Sequence, residues 1–294
     1  MIIDLKYHIA SLIAVFLALG IGVMVGSAVL GDNVNDVIMQ QQKQVVDDLN
    51  RNFDKMRKDN LQAQDEIADY KAALNLSEQF EKQMLPMLVS GKLTGKTIAV
   101  IETNNYGVHE DWINTLKLAG ARVASVTTVL ESSNLKKEES RKAVSTKLML
   151  NNTAEDTVTK EMAREIAVGV ISAQNIENLN YFEQQGLIKI SGDYGVPVNA
   201  VILVGGGQAG VVDRTAMLDL PMINYFISQK IPVFGVEISD VEQSYMKQYQ
   251  RFKISTVDNV DMVPGQVSLV MAIYGKPGNY GIKTTANQLV PVIP

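Results

Sequence analysis

From Ile9 to Gly31 the chain carries no charged residue, within the stretch "KYHIASLIAVFLALGIGVMVGSAVLGDN". As a helix at about 1.5 Å per residue, that run reaches roughly 34 Å, enough to cross a hydrocarbon core of about 30 Å. Three readings compete: a permanent anchor, a signal peptide cleaved after Ser27 or Ala28, and a buried core helix. A signal peptide's apolar region usually spans about 7–15 residues behind a basic leader. Here the run is longer, and "MIIDLK" holds one acid and one base. Soluble core helices seldom stay uncharged this long, so the length favours the anchor. Lys6 precedes the span, whereas Asp32, Asp36, Asp47 and Asp48 follow it. The positive-inside bias then predicts a cytoplasmic tail (1–8), a transmembrane helix (9–31) and an exported remainder, in a single-pass cell-membrane protein.

Inside the span, Ala10, Ala14, Ala18, Gly22 and Gly26 recur every fourth residue. They line one helix face, and Gly22-x-x-x-Gly26 is a pattern that lets two membrane helices approach closely. Small residues are also common in membrane helices, so chance alignment is the competing explanation. The region 32–88 then reads as a coiled-coil stalk. Its apolar positions alternate fours and threes through Leu49, Phe53, Met56, Asn60, Ala63, Ile67, Tyr70 and Leu74, a 3.5-residue seam with a stutter at Val45. Asn60 at a core position costs stability but favours a parallel dimer in fixed register. A homodimer is the leading expectation; another protein's helix, or a lone solvated helix, would also fit so weak a seam.

The region 93–294 changes rhythm. "TIAVIET", "ARVASVTTV", "VNAVILVGGG", "IPVFGVE" and "KISTVDN" read as strands separated by helical stretches. That alternation predicts one Rossmann-like α/β domain with a parallel sheet. Helices are expected from Asn134 to Gln174 with a break that Thr153 could cap, over "DVEQSYMKQYQRF", and over "VPGQVSLVMAIYG" between Pro264 and Gly275. Asp258 and Asp261 would cap that last helix or, less readily, hold a cation.

Candidate chemistry is sparse. "GGGQAG" places Gly205, Gly207 and Gly210 in a G-x-G-x-x-G pattern together with Gly206, and Glu237 ends the next strand as a ribose-binding acid would. The interval from Gly210 to Glu237 exceeds the usual ~20 residues. A turn docking another ligand or protein, or a structural turn, therefore competes with a nucleotide-binding enzyme. There is no cysteine, so disulfides and thiolate ligands are excluded. His109 lies beside Glu110 and Asp111 and reads as a helix-start cluster before a catalytic or metal site. Met84 and Met87 flank Pro86, as core packing or a thioether pair. No cofactor is indicated by these residues, and catalysis is not expected. The net charge of −5 argues against a nucleic-acid partner.

Two segments carry a resemblance. The span with its following Gly-Ser, and "VDNVDMVPGQVSLVMAIYGKPGNYGIKTTANQLVP", look like the two ends of the MctB-like family, commonly labelled copper transporters. The resemblance covers essentially the whole chain. It implies copper transport or homeostasis, copper as a ligand, and an outer-membrane label. It also implies an alternative, a cell-division scaffold that binds an envelope partner and regulates wall hydrolysis during daughter-cell separation. The residues themselves, one span and no alternating barrel strands, suit an anchored binding protein more than a channel.

Overall fold

The computed structural model describes residues 5–104, 110–172, 175–208 and 213–292. Contacts divide the chain into two compact units, Met1–Ser77 and Glu78–Pro294. A single helix, α1 (Leu5–Val89), begins in the first and ends in the second. Its segment Tyr7–Ala28, 22 residues of mean hydropathy 2.5 with none buried, is long and apolar enough to cross a membrane. Beyond it, Leu49, Phe53, Met56, Ile67, Tyr70 and Leu74 are each at least half exposed in the single chain.

The second unit continues with β1 (Thr97–Glu102), α2 (Glu110–Leu118), β2 (Arg122–Val129), α3 (Glu138–Lys147), α4 (Glu155–Ile171), α5 (Ile176–Gln184) and β3 (Ile188–Gly192). Then come β4 (Ala200–Val204), α6 (Leu220–Ser228), β5 (Val233–Val236), α7 (Met246–Tyr249), β6 (Ser255–Val257), α8 (Val263–Tyr274) and β7 (Asn279–Tyr280). The sheet order is β3-β2-β1-β4-β5-β6-β7. Every pairing is parallel except β2 with β3. Apart from that edge, the order is that of doubly wound dinucleotide-binding sheets, with the reversal point between β1 and β4.

Both faces of the sheet are covered, which is why β4 reads as an unbroken apolar run and all five of its residues are buried. One face packs on α4, α5 and α6 through Met162, Ile166, Phe182 and Phe226. The other packs on the last turns of α1, on α2 and on α8 through Val89, Trp112, Leu116 and Val270.

Several sequence expectations change here. "LIKISG" is a strand that alternation did not reveal, because β3 is an antiparallel edge with an exposed outer half. The outward Ile190 N–H of that edge donates to Glu183 Oε1 at 3.1 Å, which blunts it against pairing with other chains. The break between α3 and α4 is held by Asn152, whose Oδ1 accepts from Ala154 N–H at 2.8 Å; the N-cap of α4 is Ala154, so Thr153 does not cap it. "DVEQSYMKQYQRF" is not one helix. Gln243 pairs with Gly207 as an antiparallel bridge, which holds its neighbours extended and leaves only the short α7 and a 3₁₀ turn. Nor do Asp258 and Asp261 cap α8, whose N-cap is Met262 with no side-chain bond. Asp258 instead accepts from the N–H groups of Ile282 (2.7 Å) and Lys283 (3.1 Å), and Asp261 from Ser239 N–H (2.7 Å) and Oγ–H (2.6 Å).

Candidate functional site

The carboxyl edge of the sheet at the β1/β4 reversal is where open α/β sheets place ligands. Here the described residues at that edge form a polar network joined by the chain's own hydrogen bonds. Past β4, the Gly205–Gly207 turn is bridged to Gln243 by two backbone bonds, Gly207 N–H to Gln243 O (2.8 Å) and its reciprocal (2.9 Å). Gly206 takes a left-handed φ of +93°, which a side chain would strain. A Cβ at Gly205 would overlap the Tyr249 hydroxyl, and one at Gly206 would meet Val241. The glycines admit two tyrosines of this chain: Tyr245 and Tyr249 stack edge to face, their ring centroids 6.4 Å apart.

Tyr249 Oη donates to Asp219 Oδ2 at 2.8 Å. Arg214, at the start of a π-helical turn (Thr215–Asp219), donates to Thr103 O (2.6 Å) and Leu130 O (3.1 Å), tying the ends of β1 and β2 together. Asn104 reaches across the reversal to Gly205 O at 2.7 Å. Glu237, at the end of β5, is fully buried and accepts from Tyr245 N–H (3.0 Å) and Lys283 Nζ (2.8 Å). Gly205–Gly207 and Glu237 are thus brought together around Tyr245, with the Glu237 carboxylate already bound by the chain's own donors.

Burial pushes the Asp219 carboxyl up to about 6, against the pull of the Thr103 hydroxyl, Tyr249 and Arg214. Among the described residues its Oδ1 has no hydrogen-bond partner, and an unpaired buried oxygen costs less on a neutral acid than on a carboxylate. Burial likewise raises Glu237, opposed mainly by Lys283 and Ser244. A carboxyl raised on folding binds its proton in the native state first. Its contribution to stability is therefore present below the unfolded value and lost as pH rises through the folded one. For Asp219, stability should fall by on the order of 3 kcal/mol between about pH 4 and pH 6. Urea denaturation of wild type and Asp219→Asn across that range checks this: the variant's profile should be flatter by that amount.

The other predicted residues lie apart from this network. Met84 is half-buried and Met87 exposed, three residues apart on α1. Asn60 sits in the first unit, its Oδ1 accepting from Gln64 Nε2 at 2.8 Å along the helix. Ala10, Ala14, Ala18 and Gly22 are exposed, and a Cβ at Gly22 or Gly26 would meet nothing within 4 Å. This chain's own packing therefore does not demand those two glycines. His109 and Gly210 lie outside the described residues. Among the described residues no group of three or more His, Cys, Asp or Glu could hold a metal ion. Sequence reasoning missed Thr103, Arg214, Asp219, Tyr245, Tyr249 and Lys283. The one local signal was three charges, Asp213, Arg214 and Asp219, in an otherwise largely apolar segment.

Comparison with known proteins gives one family. A profile described as "Copper transport outer membrane protein, MctB" matches residues 2–291. Curated proteins called "Copper transporter MctB", from Mycobacterium tuberculosis (strain ATCC 25618 / H37Rv) and Mycobacterium bovis (strain ATCC BAA-935 / AF2122/97), are each 24% identical over 321 residues. Those alignments take in 95% of this chain and 96% of the relative. With the apolar helix, the long helical segment and the seven-stranded domain all inside the matched range, the chain belongs to the MctB family.

Proposed function

We propose that this protein is a single-pass envelope protein whose part in copper handling runs through binding rather than catalysis. In this reading a paired stalk carries the α/β domain on the exported side, with the N-terminus cytoplasmic. The observation that carries it is the apolar seam from Leu49 to Leu74, exposed along the same helix that contains the membrane-length segment. Burying one such side chain is worth about 1.5–3 kcal/mol, so six bare positions in register strongly favour a partner. A second copy is the occupant we assign. The alternating three-four spacing, Asn60 at a core position and the upstream small-residue face all suit two parallel helices.

Copper comes to this reading from the family and its relatives' names. Soft copper(I) calls for clustered thiolates or thioethers. The chain has no cysteine, and its closest thioethers beyond the apolar segment are Met84 and Met87. That donor set is poor, and the role is better served by docking a partner than by a cage within this chain.

The absence of native cysteine makes the test clean. Met56→Cys, at a core seam position, should cross-link to its own copy in the full-length protein in nanodiscs, whereas Asp54→Cys, off the seam, should not. Monomers in light scattering would sink the paired stalk. Gly22→Leu with Gly26→Leu should weaken the full-length dimer about tenfold or more if the membrane helices also pair. Loss of the gene should raise copper sensitivity; chained, unseparated cells with normal copper tolerance would favour the division scaffold instead.

A further inference from the structure

A groove of about 530 Å³ opens at the opposite, amino-terminal edge of the sheet, below the starts of β1, β4, β5 and β6. Its volume falls within the usual range for small-molecule sites, about 300–1,000 Å³. The floor is apolar, with Ile227, Ile231, Phe252 and Ile273 among its residues, and among the described residues the charged ones lining it are Lys96, Lys230 and Lys253. Among the described residues no carboxylate lines it, in a chain whose net charge is −5. Among the described residues none of the three lysines forms an ion pair.

A structural account of these lysines starts from helix ends. α6 and α8 both terminate at this groove, and each helix C-terminus carries roughly half a negative charge. Two such ends offset about one of three ammonium groups, so the groove remains cationic. The backbone adds an independent observation. Lys230 (φ +59°) and Lys253 (φ +57°) are two of only five non-glycine residues described in the left-handed region. Both follow helical turns, where glycine would fit without strain. A chain that keeps lysine at both positions holds two charges over one apolar floor at a backbone cost.

From this juxtaposition we propose that the groove binds an anionic amphiphile, with an acyl tail on the isoleucine and phenylalanine floor and a phosphate or carboxylate head among Lys96, Lys230 and Lys253. The proposal does not depend on the copper reading or on the paired stalk. Within a membrane-anchored protein, such a ligand is a lipid or lipid-like molecule presented at the domain's far edge from the β1/β4 reversal.

The test is amide hydrogen exchange on the full-length protein in phosphatidylcholine nanodiscs, with dodecyl phosphate as the probe. Dodecyl phosphate should slow exchange over residues 227–233 and 252–256, while inorganic phosphate and dodecyl maltoside should not. Lys230→Gly with Lys253→Gly should weaken that protection about tenfold or more while leaving the melting temperature equal or higher, because it removes two charges and relieves two left-handed residues. Lys230→Gln with Lys253→Gln removes charge at nearly constant size and should weaken it similarly. Equal protection by dodecyl maltoside would reduce the groove to a generic apolar surface and overturn the proposal. Protection by inorganic phosphate alone, or protection unchanged in both double variants, would overturn it as well.

Discussion

Gly265→Ala should unfold the α/β domain at a markedly lower temperature than wild type. A methyl at this position would overlap the carbonyl oxygen of Asn259 and lie 2.5 Å from its carbon. These are backbone atoms, in a segment that is itself anchored: Asn259 O accepts from Met262 N–H at 3.0 Å, and Val260 N–H donates to Glu237 O at 3.1 Å. Relief therefore requires moving the first turn of α8, a helix in which eight consecutive residues, Gly265 to Ala272, are buried. Overpacking usually costs about 1–3 kcal/mol, and the upper end applies when the obstructing atom belongs to the main chain. For a domain of this size, about 3 kcal/mol corresponds to roughly 6–12 °C in melting temperature. The near-ultraviolet signal of Trp112, the one tryptophan and a core residue on the same face, reports the transition. Gly20→Ala, where an added methyl meets nothing, should leave it unmoved. A melt of Gly265→Ala within a degree of wild type would show that the Pro264–Gly265 turn yields easily.

Lys283→Met should have a comparable or larger effect by a different route. The Glu237 carboxylate is fully buried, and the Lys283 ammonium, one-fifth exposed, contacts it at 2.8 Å. Removing one member of a buried pair leaves a charge without compensation, at a cost of about 3–5 kcal/mol. Replacing both members with neutral groups is far milder, so Glu237→Gln with Lys283→Met should recover much of the loss. The pH dependence separates this from lost packing. Burial already raises Glu237, and losing Lys283 raises it further. The native variant then holds a proton that the unfolded chain releases, so its stability grows as pH falls and shrinks as pH rises through the raised value. Denaturation at pH 5 and pH 8 should show the variant converging on wild type at the lower pH. A constant gap would assign the cost to the lysine's aliphatic stem.

Both predictions arise from one C-terminal segment, and they explain why its residues look like a motif. Gly265 lets α8 start against Asn259. Gly281, at φ +139°, has no room for a Cβ beside Asp258, whose carboxylate gathers the Ile282 and Lys283 amides. Lys283 then reaches back to Glu237. The segment laces β5, β6 and β7 together at the carboxyl edge, and each of its odd residues answers one steric or electrostatic demand there.

Period and length were legible from the chain alone. An uncharged run that can cross a bilayer, a three-four seam and strand–helix alternation are local patterns. They determined a membrane-length helix, a long polar helix and a largely parallel α/β sheet, because a residue's periodicity is set by its own neighbours in sequence. The strands buried on both faces, such as β4, were the easiest to see. The antiparallel edge β3 and the two-residue β7 were not, because their pairing comes from distant chain and their own composition is neutral.

The site was decided by tertiary structure. Gly205–Gly207 has the spacing of a phosphate loop, and nothing in that spacing tells whether the space above it is empty. Tyr249 arrives from 44 positions beyond Gly205 to occupy it, and Lys283 from 46 positions beyond Glu237 to neutralise that acid. The groove ringed by Lys96, Lys230 and Lys253 is invisible in sequence for the same reason, since three strand starts bring the lysines together. Local pattern sets which elements form, but what fills a cleft or balances a buried charge depends on contacts between residues far apart in the chain.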